Sequence, residues 1–274
     1  MFLISDFTGN CHLAPMRNLN LVAVLVTVVF WNVENFFGDR PYFYAKCNGI
    51  AKTIMEIADR EGEMPDVIAM AEVGDRKVLE RLVFTTTLRK FDYRIVHYDS
   101  PDKRGIDCAL LYRKGSLRKC RSKPCHLYDS TGTVMNTRDI LLCEFDSLAI
   151  LVNHHPSKVG QGSDDRRRIA MDRMNGLCDS LENEGVRRIL CVGDFNDNLW
   201  GAFTQGTIKY NGEWEKIDGY FSRGLDVNEQ VFVSPFLLTK DSKFGGEKPL
   251  RSFSGPRYLG GLSDHLPVII KTGP

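Results

Sequence analysis

Short apolar runs rich in β-branched residues recur along the chain. They lie at 21–31, 67–71, 93–98, 108–112, 140–145, 148–152, 189–192 and 266–270. Runs of this length and composition are typical of buried strands. The pattern therefore predicts a protein whose core is built largely from strands.

Two segments show the periodicity of amphipathic helices instead. In the first, apolar residues share one face between Cys47 and Ala58, and Gly62 ends the pattern. In the second, the apolar face lies between Ala170 and Leu181, Ser163 or Asp164 is the predicted N-cap, and Gly185 marks the end. Residues 245–261, rich in Gly and Pro, are predicted to form a surface loop. Interspersed strands and helices without a linker or repeat predict one α/β domain with packed sheets.

The apolar segment at 21–30 has two interpretations. It is too short to cross a bilayer, so no transmembrane segment is expected. A secretory signal is one interpretation, with Arg17 before the apolar run. A buried strand is favoured, because the segment continues directly into Trp31 without a cleavage site. We therefore predict an N-terminal arm over 1–20, without a clear pattern, followed by a single domain over 21–274.

Charge and cysteine content narrow the class of protein only modestly. The chain has 36 Lys and Arg against 35 Asp and Glu, a net charge of +1, which excludes a strongly basic nucleic-acid coat protein. A nuclease is still compatible, since a local basic strip can attract a polyanion. None of the 8 cysteines forms a C-x-x-C pair. Several lie in apolar runs, as buried thiols do, which favours reducing, cytoplasmic surroundings without excluding secretion.

The polar residues that could carry chemistry stand where predicted strands begin or end. They are Asn32 and Glu34, Glu72, His154 and His155, Asp194 and Asn196, and Asp264 and His265. Carboxylates of this kind suit Mg²⁺ or Mn²⁺, and histidines with amides can stabilise a phosphoryl oxyanion. No serine or cysteine elbow and no phosphate-binding P-loop is present. The set predicts metal-assisted attack of water on a phosphoester.

These clusters resemble, in order, the motifs of the endonuclease/exonuclease/phosphatase superfamily, whose fold is that of DNase I. The matching pieces are W-N-V-E-N at 31–35, A-E-V at 71–73, R-G-I-D at 104–107, V-N-H at 152–154, G-D-F-N at 193–196, I-D at 217–218 and S-D-H-L-P-V at 263–268. They span nearly the whole chain. The resemblance implies an α/β fold, a two-layer β-sandwich of mixed sheets flanked by α-helices.

The resemblance also implies a role for each matching residue. Glu72 looks like the main metal carboxylate, with Asn32, Glu34 and Asp264 on the metal side. The catalytic set that it implies comprises His154, Asp194, Asn196, Asp218 and His265. Asp194 resembles the residue that positions or deprotonates water, Asp218 the partner of His265, and Asn196 a phosphate donor. The assignment of Asp218 departs from the family pattern, because Gly219 follows it where relatives carry an aromatic residue or histidine.

Two further choices concern neighbouring residues. Adjacent residues of a strand point to opposite faces, so His154 and His155 cannot both enter one cleft. We choose His154, by the family pattern. The basic loop over 156–168 places Arg166 and Arg167 where they could bind substrate phosphate, although a solvated first helical turn is the alternative.

Three functions are compatible with these residues. The first is a Mg²⁺- or Mn²⁺-dependent phosphodiesterase or nuclease, whose partner is a phosphoester substrate such as nucleic acid. The second is a phosphatase or phosphodiesterase acting on an inositol phosphate or phospholipid headgroup. The third, a non-catalytic binding module, is disfavoured because Glu72, Asp194 and His265 are all present. No obligate protein partner is implied.

Overall fold

The computed structural model describes residues 25–273, except positions 119, 147, 159, 161 and 199–205. The predicted N-terminal arm and the first part of the apolar run at 21–31 lie outside the described residues. Over the described part, no helix is both long enough and apolar enough to cross a membrane. The seven cysteines that the structure describes are free thiols.

Strands dominate the described part of the chain. In chain order they are β1 (Val26–Phe36), β2 (Val67–Val73), β3 (Tyr93–His97), β4 (Asp107–Arg113), β5 (Arg121–Cys125), β6 (Ile140–Glu144), β7 (Ala149–His154), β8 (Ile189–Asp194), β9 (Ile208–Tyr210), β10 (Glu213–Glu215), β11 (Asp218–Arg223), β12 (Val227–Val231), β13 (Leu238–Lys240), β14 (Glu247–Pro249), β15 (Phe253–Ser254), β16 (Arg257–Tyr258) and β17 (Val268–Thr272). The helices are α1 (Phe43–Glu61), α2 (Arg76–Thr85) and α3 (Ser163–Asn183), with short 3₁₀ helices at Thr87–Lys90 and Pro235–Leu237.

The longer strands form two mixed sheets. One has the order β12-β17-β1-β2-β4-β3 and the other the order β11-β8-β7-β6-β5. Within them, β1 with β2 and β7 with β8 are parallel pairs, and the other pairs are antiparallel. Apolar side chains from both sheets, such as Phe30, Leu110, Ile150 and Val192, form one buried cluster between them. The predicted two-layer sandwich is therefore confirmed.

The outer faces of the sheets are covered by helices. Ile50, Ile54 and Ile57 of α1 pack with residues of the six-stranded sheet, and α2 joins the same cluster. Met174 and Leu181 of α3 pack on the five-stranded sheet. Burial of these apolar stripes stabilises the helices, since most of the stability of a helix in a protein comes from packing of its apolar face. The helices flank the sandwich on both sides, as the resemblance implies.

The helix ends test the predicted caps. Gly62 ends α1 in a left-handed conformation, φ 81°, which glycine adopts without steric cost. The predicted N-cap of α3 at Ser163 or Asp164 is wrong, because the helix begins after Gly162 and no side chain caps it. Helix α2 was not predicted, although Asp75 caps it by accepting a hydrogen bond from the Val78 amide at 2.9 Å.

Every predicted apolar run corresponds to a strand. For the run at 21–31, residues 21–24 lie outside the described residues, and the strand spans Val26 to Phe36, five residues beyond the predicted end. Strand β5 and the short strands of the C-terminal third were not predicted. Residues 245–261, predicted as loop, contain β14 and the β15–β16 hairpin. These elements are short and lack an apolar alternation, so packing and pairing rather than pattern define them.

Candidate active site

The polar residues singled out above gather at one edge of the sandwich. The carboxyl ends of β1 and β2 supply Asn32 and Glu72 from one sheet. The ends of β7 and β8 supply His154 and Asp194 from the other. Strand β11 is antiparallel to β8, so its first residue, Asp218, pairs with Asp194. The segment before β17 adds Asp264 and His265, and the cleft is shared by both sheets.

Asp194 lies at the centre of this group and is 2% exposed. Its Oδ2 accepts a hydrogen bond from Asn32 Nδ2 at 3.0 Å and lies 3.7 Å from His154 Nε2. Its Oδ1 accepts from the Asn196 amide at 2.9 Å. Burial, followed by repulsion from Asp218, raises the pKa of Asp194 to about 7, against the opposing attraction of His265. The carboxylate can therefore exchange a proton near neutral pH.

His265 and Asp218 form a buried pair beside it. His265 Nδ1 lies 2.8 Å from Asp218 Oδ2, while Nε2 lies 4.0 Å from Asp194 Oδ2. Burial lowers the pKa of His265, but attraction by Asp218 and Asp194 outweighs burial and holds the pKa well above its usual range. The imidazole is thus oriented by one carboxylate and presents its other nitrogen to the cleft.

Glu72 lies next to Asn32 and remains accessible. Its Oε2 accepts the Asn35 amide at 2.8 Å, and its Oε1 lies 3.5 Å from Asn32 Nδ2 and 4.0 Å from His154 Nε2. The side chain is 17% exposed, and its backbone is left-handed with φ 64°. A non-glycine residue held there carries local strain, which clusters at functional sites.

Glu34 and Asp264 are joined by an arginine that the sequence did not assign to the site. Arg251 donates two hydrogen bonds to Glu34 Oε1, at 2.9 and 2.7 Å, and lies 3.1 Å from Asp264 Oδ2. The other Glu34 oxygen accepts the Ser252 amide at 2.9 Å. Both oxygens of Glu34 therefore already have protein donors, whereas the Asp264 side chain is 30% exposed.

A buried lysine connects the segment at Arg251 and Ser252 to the end of β1 by hydrogen bonds. Lys46 of α1 donates to the Glu34 carbonyl at 2.5 Å and to Ser252 Oγ at 2.7 Å. Burial lowers the pKa of Lys46 to about 8, and attraction by Glu34 partly opposes this. Burial and repulsion from Asp264 raise the pKa of Glu34, and attraction by Arg251 opposes them. Neither Lys46 nor Arg251 has a motif that marks it in the sequence.

The two neighbouring histidines point to opposite faces of β7. His154 faces Asp194 and Glu72 in the cleft, and its buried Nδ1 has no hydrogen-bond partner among the described residues. Burial, followed by repulsion from Arg138 and Arg104, lowers the pKa of His154 well below its usual range. His155 instead packs edge-on against Phe195 on the helix side, with ring centroids 5.1 Å apart.

Replacing His155 by phenylalanine should make the fold less sensitive to acid. Burial lowers the pKa of His155 to about 3, below the value of about 6.5 in an unfolded chain. Below pH 6.5 the unfolded chain binds this proton and the folded chain does not, so stability falls with pH. Between pH 7.5 and 5, the free energy of unfolding of H155F should rise by about 2 kcal/mol relative to wild type. Urea unfolding at both pH values measures this, and an identical pH dependence of the two proteins would contradict it.

The remaining predicted residues lie at the rim. Asn196, left-handed with φ 51°, donates from Nδ2 to the His155 carbonyl at 3.0 Å. Arg167 pairs with Asp164 and donates to the Ser157 carbonyl at 3.2 Å, so it is held within its own loop and helix turn. Arg166 lines a separate cavity with Arg104 and Arg138. The structure therefore brings neither Arg166 nor Arg167 to the central carboxylates.

Ligand atoms suited to a metal occur in two places of the described chain. One oxygen each from Asp194 and Asp218 and one nitrogen of His265 lie within 4.8 Å of one another. A second group comprises His97, Asp99 and Asp107, where His97 Nε2 lies 3.3 Å from Asp107 Oδ2. Only the first group lies in the cleft between the sheets.

Comparison with known proteins identifies the class that this fold and cleft define. A family model described as "Endonuclease/Exonuclease/phosphatase family" matches residues 38–227 and 204–273, which together cover most of the chain. The protein therefore belongs to the endonuclease/exonuclease/phosphatase family. Asn32 and Glu34 precede the matched range, and the other residues of the cleft lie within it. No match was found among curated protein sequences.

Solved structures with the same fold come from animals and from bacteria. TDP2 of Caenorhabditis elegans superimposes with a TM-score of 0.56 at 14% identity, covering 91% of this chain and 75% of that chain. The human Nocturnin catalytic domain gives 0.56 at 14% identity, with 91% and 94% covered. A mannosyl-6-phosphatase of Bacteroides thetaiotaomicron gives 0.60 at 13% identity, with 91% and 100% covered. At these identities the likeness shows the fold, and the family shows phosphoester hydrolysis as the class of chemistry.

Proposed function

We propose that this protein is a divalent-metal-dependent phosphodiesterase, with Mg²⁺ or Mn²⁺ as the metal and nucleic acid as the first substrate to test. The observation that carries the proposal is the convergence of Asp194, His265 and Asp218 on one buried edge. Asp194 Oδ2 lies within 4.0 Å of both cleft histidines, and Asp218 orients one of them at 2.8 Å. An oriented imidazole beside a carboxylate is the arrangement that general acid–base catalysis requires.

The donor set of the cleft fits a hard cation. Glu72 keeps Oε1 directed into the cleft while a backbone amide holds Oε2, and it is partly open to solvent. Asp264 is also accessible, and Asn32 adds an amide beside Glu72. Mg²⁺ is bound in proteins through one or two carboxylates with waters and substrate phosphate, which this set can supply. We propose Glu72 as the main ligand, with Asn32 and Asp264 beside it. Glu34 acts through Arg251, which its carboxylate holds.

The remaining side chains of the cleft have separate roles in the proposed hydrolysis. A bound divalent cation would polarise the phosphoryl oxygens and offset their charge. Asp194 positions water and accepts its proton, while His265, oriented by Asp218, donates to the developing oxyanion. His154 is a second donor on the other side of Asp194, at 3.7 Å. The side-chain amide of Asn196, which donates to the His155 carbonyl, lies at the rim of the same cleft. The positions of these groups on two rigid sheets keep them aligned without reorganisation.

A phosphatase acting on a small phosphate ester is the second candidate. The observation that favours it is the net charge of +1, which gives the whole chain little attraction for a polyanion. The same cleft would serve both reactions, because the catalytic groups do not define the rest of the substrate. The two candidates differ in whether the phosphate to be cleaved carries one ester bond or two.

A paired substrate panel tests the proposal. Purified protein is assayed on bis-p-nitrophenyl phosphate, p-nitrophenyl phosphate, single- and double-stranded DNA, RNA and an inositol phosphate, each with Mg²⁺, Mn²⁺ or EDTA. We expect diester and nucleic-acid hydrolysis with either metal, and a loss of at least about 100-fold in EDTA. Hydrolysis confined to monoesters would favour the phosphatase. Undiminished rates in EDTA would contradict metal dependence.

A further inference from the structure

A basic cavity opens beside the cleft, on the His154 side. It encloses about 280 Å³ and is lined by Asp102, Lys103, Arg104, Asn136, Arg138 and Arg166, among others. Since a water molecule occupies about 30 Å³, the cavity has room for a phosphate group with several waters. Four of these lining residues are cations and one is an anion, on a chain whose net charge is only +1. The cavity is therefore markedly more positive than the chain as a whole.

The single carboxylate of the cavity does not neutralise it. Asp102 Oδ1 accepts from the Arg104 amide at 2.9 Å and Nε at 3.3 Å, and Oδ2 accepts from Arg138 at 3.3 Å. Asp102 thus holds two guanidinium groups side by side. Lys103 and Arg166 are exposed, and no hydrogen bond or ion pair joins their side chains to any described residue. The cavity therefore keeps cationic donors for a ligand.

Arg138 connects the cavity to the candidate active site. It is 5% exposed, and its Nε is buried without a hydrogen-bond partner among the described residues. Its guanidinium also donates at 2.5 Å to the carbonyl of His155, the residue that directly follows His154 and the end of β7. Arg138 thus places a buried positive charge between the cavity and His154. Pro156, which directly follows His155, lines the same cavity.

We propose that this basic cavity binds a second phosphate group of the substrate, on the His154 side of the phosphate that is cleaved. Planar guanidinium groups match phosphate oxygens in pairs, and the cavity receives Arg104 from the loop before β4 and Arg166 from α3. The inference rests on the proposed phosphoester hydrolysis and deepens it. The preferred substrate carries at least two phosphates, as a nucleotide chain or a polyphosphorylated small molecule does.

Matched substrates that differ by one phosphate test this proposal. Thymidine 5′-(p-nitrophenyl phosphate) is compared with the same ester bearing a 3′-phosphate, and thymidine 3′-(p-nitrophenyl phosphate) with its 5′-phosphorylated form. An inositol monophosphate and bisphosphate form the third pair. We expect the extra phosphate to raise kcat/KM by about 10- to 100-fold in at least one pair, mainly through KM. A preference limited to a thymidine pair indicates a nucleotide chain, and one limited to inositol indicates a small molecule.

The variant R104Q/R166Q should bring this ratio close to one. The matched control is Arg168→Gln, which removes the same charge from an exposed part of α3 where Arg168 pairs with Asp165 at 3.0 Å. The control should keep the wild-type ratio. Hydrolysis by wild type without any preference for the second phosphate would overturn the inference and leave the proposed function intact. An equal loss on both members of a pair in R104Q/R166Q would also overturn it.

Binding without catalysis separates the two proposals. Calorimetry in EDTA compares thymidine 3′,5′-bisphosphate with thymidine 5′-monophosphate. Wild type should bind the bisphosphate at least about 10-fold more tightly, and R104Q/R166Q should lose this difference. If no substrate is hydrolysed, the proposed function fails. The affinity comparison still shows whether the cavity binds a second phosphate group. Equal affinities of wild type for the two ligands would overturn the inference.

Discussion

Replacing Asp194 by asparagine should lower kcat/KM for diester hydrolysis by about 10²- to 10⁴-fold, the usual contribution of a general acid–base group. Asparagine keeps the size of the side chain, but its single oxygen can replace only one of the two acceptors, either toward Asn32 Nδ2 at 3.0 Å or toward the Asn196 backbone amide at 2.9 Å. It cannot accept a proton from water. Steady-state kinetics on bis-p-nitrophenyl phosphate with saturating Mg²⁺ measure the effect, which we expect in kcat rather than in KM.

The fold of D194N should be intact. Burial raises the pKa of Asp194 to about 7, above the value of about 3.8 in the unfolded chain, so this carboxyl stabilises the fold at low pH. That contribution is lost as the pH rises through 7, and at pH 8 the ionised group favours unfolding. In EDTA at pH 8, removal of this buried charge offsets the lost hydrogen bond, so D194N should melt close to wild type. Asp197→Asn, an exposed neighbour, is the matched control and should keep full activity. Wild-type kcat in D194N would refute the role of Asp194.

Replacing Glu72 by glutamine should weaken binding of Mn²⁺ by more than about 100-fold, because loss of supporting residues alone typically costs 10- to 100-fold. In wild type the Asn35 backbone amide donates to Glu72 Oε2 at 2.8 Å. The glutamine oxygen can accept the same hydrogen bond, so the local backbone is preserved. The negative charge that attracts the cation is lost. Calorimetric titration of Mn²⁺ into wild type and E72Q measures the change directly, and activity at fixed Mg²⁺ should fall with it.

A control of equal charge change isolates the effect of Glu72. Glu80→Gln removes an exposed carboxylate of α2 that pairs with Arg76 at 3.0 Å. It should leave Mn²⁺ affinity unchanged. If E72Q binds Mn²⁺ as tightly as E80Q, then Glu72 is not a ligand, and the group of Asp194, Asp218 and His265 becomes the alternative metal site. Partial rescue of E72Q activity at high Mg²⁺ would support the direct role.

The sheets could be predicted from the sequence because their strands are buried on both faces. Runs such as 148–152 and 189–192 are continuously apolar, and no other element accounts for them. The sequence of helix α2 contains a cap and an apolar face that indicate a helix. Asp75 precedes it as a cap, and Val78, Leu79, Leu82 and Val83 form one buried face. The segment is only 10 residues long, so its pattern repeats over fewer turns than those of α1 and α3.

Strand β5 and the C-terminal hairpins had no comparable signal. The sequence R-S-K-P-C of β5 contains a proline and two cations, and it forms an edge strand where proline is tolerated. Strands β13 and β14 pair only with each other. Their conformation depends on partners that are distant or equally short, and no local periodicity encodes those partners. The N-cap of α3 was wrong because a left-handed glycine took the place of a polar side chain.

Within the candidate site, motif and geometry give different kinds of information. The polar strand ends pointed to Asp194 and His265, and the family resemblance added Asp218. Strand alternation predicted that His154 and His155 face opposite ways, and the resemblance selected His154. The sequence did not indicate that Arg251 would hold Glu34, since the two residues are 217 positions apart and join only when the sheet closes. The same holds for Arg104 and Arg138, which Asp102 brings together. Charged side chains on loops carry little positional information until the strands are placed.

The pairing of β1 with β17 has a consequence for when activity can arise. Strand β1 lies between β2 and β17, so the second strand that completes its hydrogen bonding is made last in the described chain. Asp264 and His265 directly precede β17, and Ser263 Oγ donates to the Asn32 carbonyl at 2.6 Å. A growing chain on the ribosome therefore has no complete cleft until these residues have emerged. The candidate cleft is therefore complete only after β17 has paired with β1, which is the first of the strands that the structure describes.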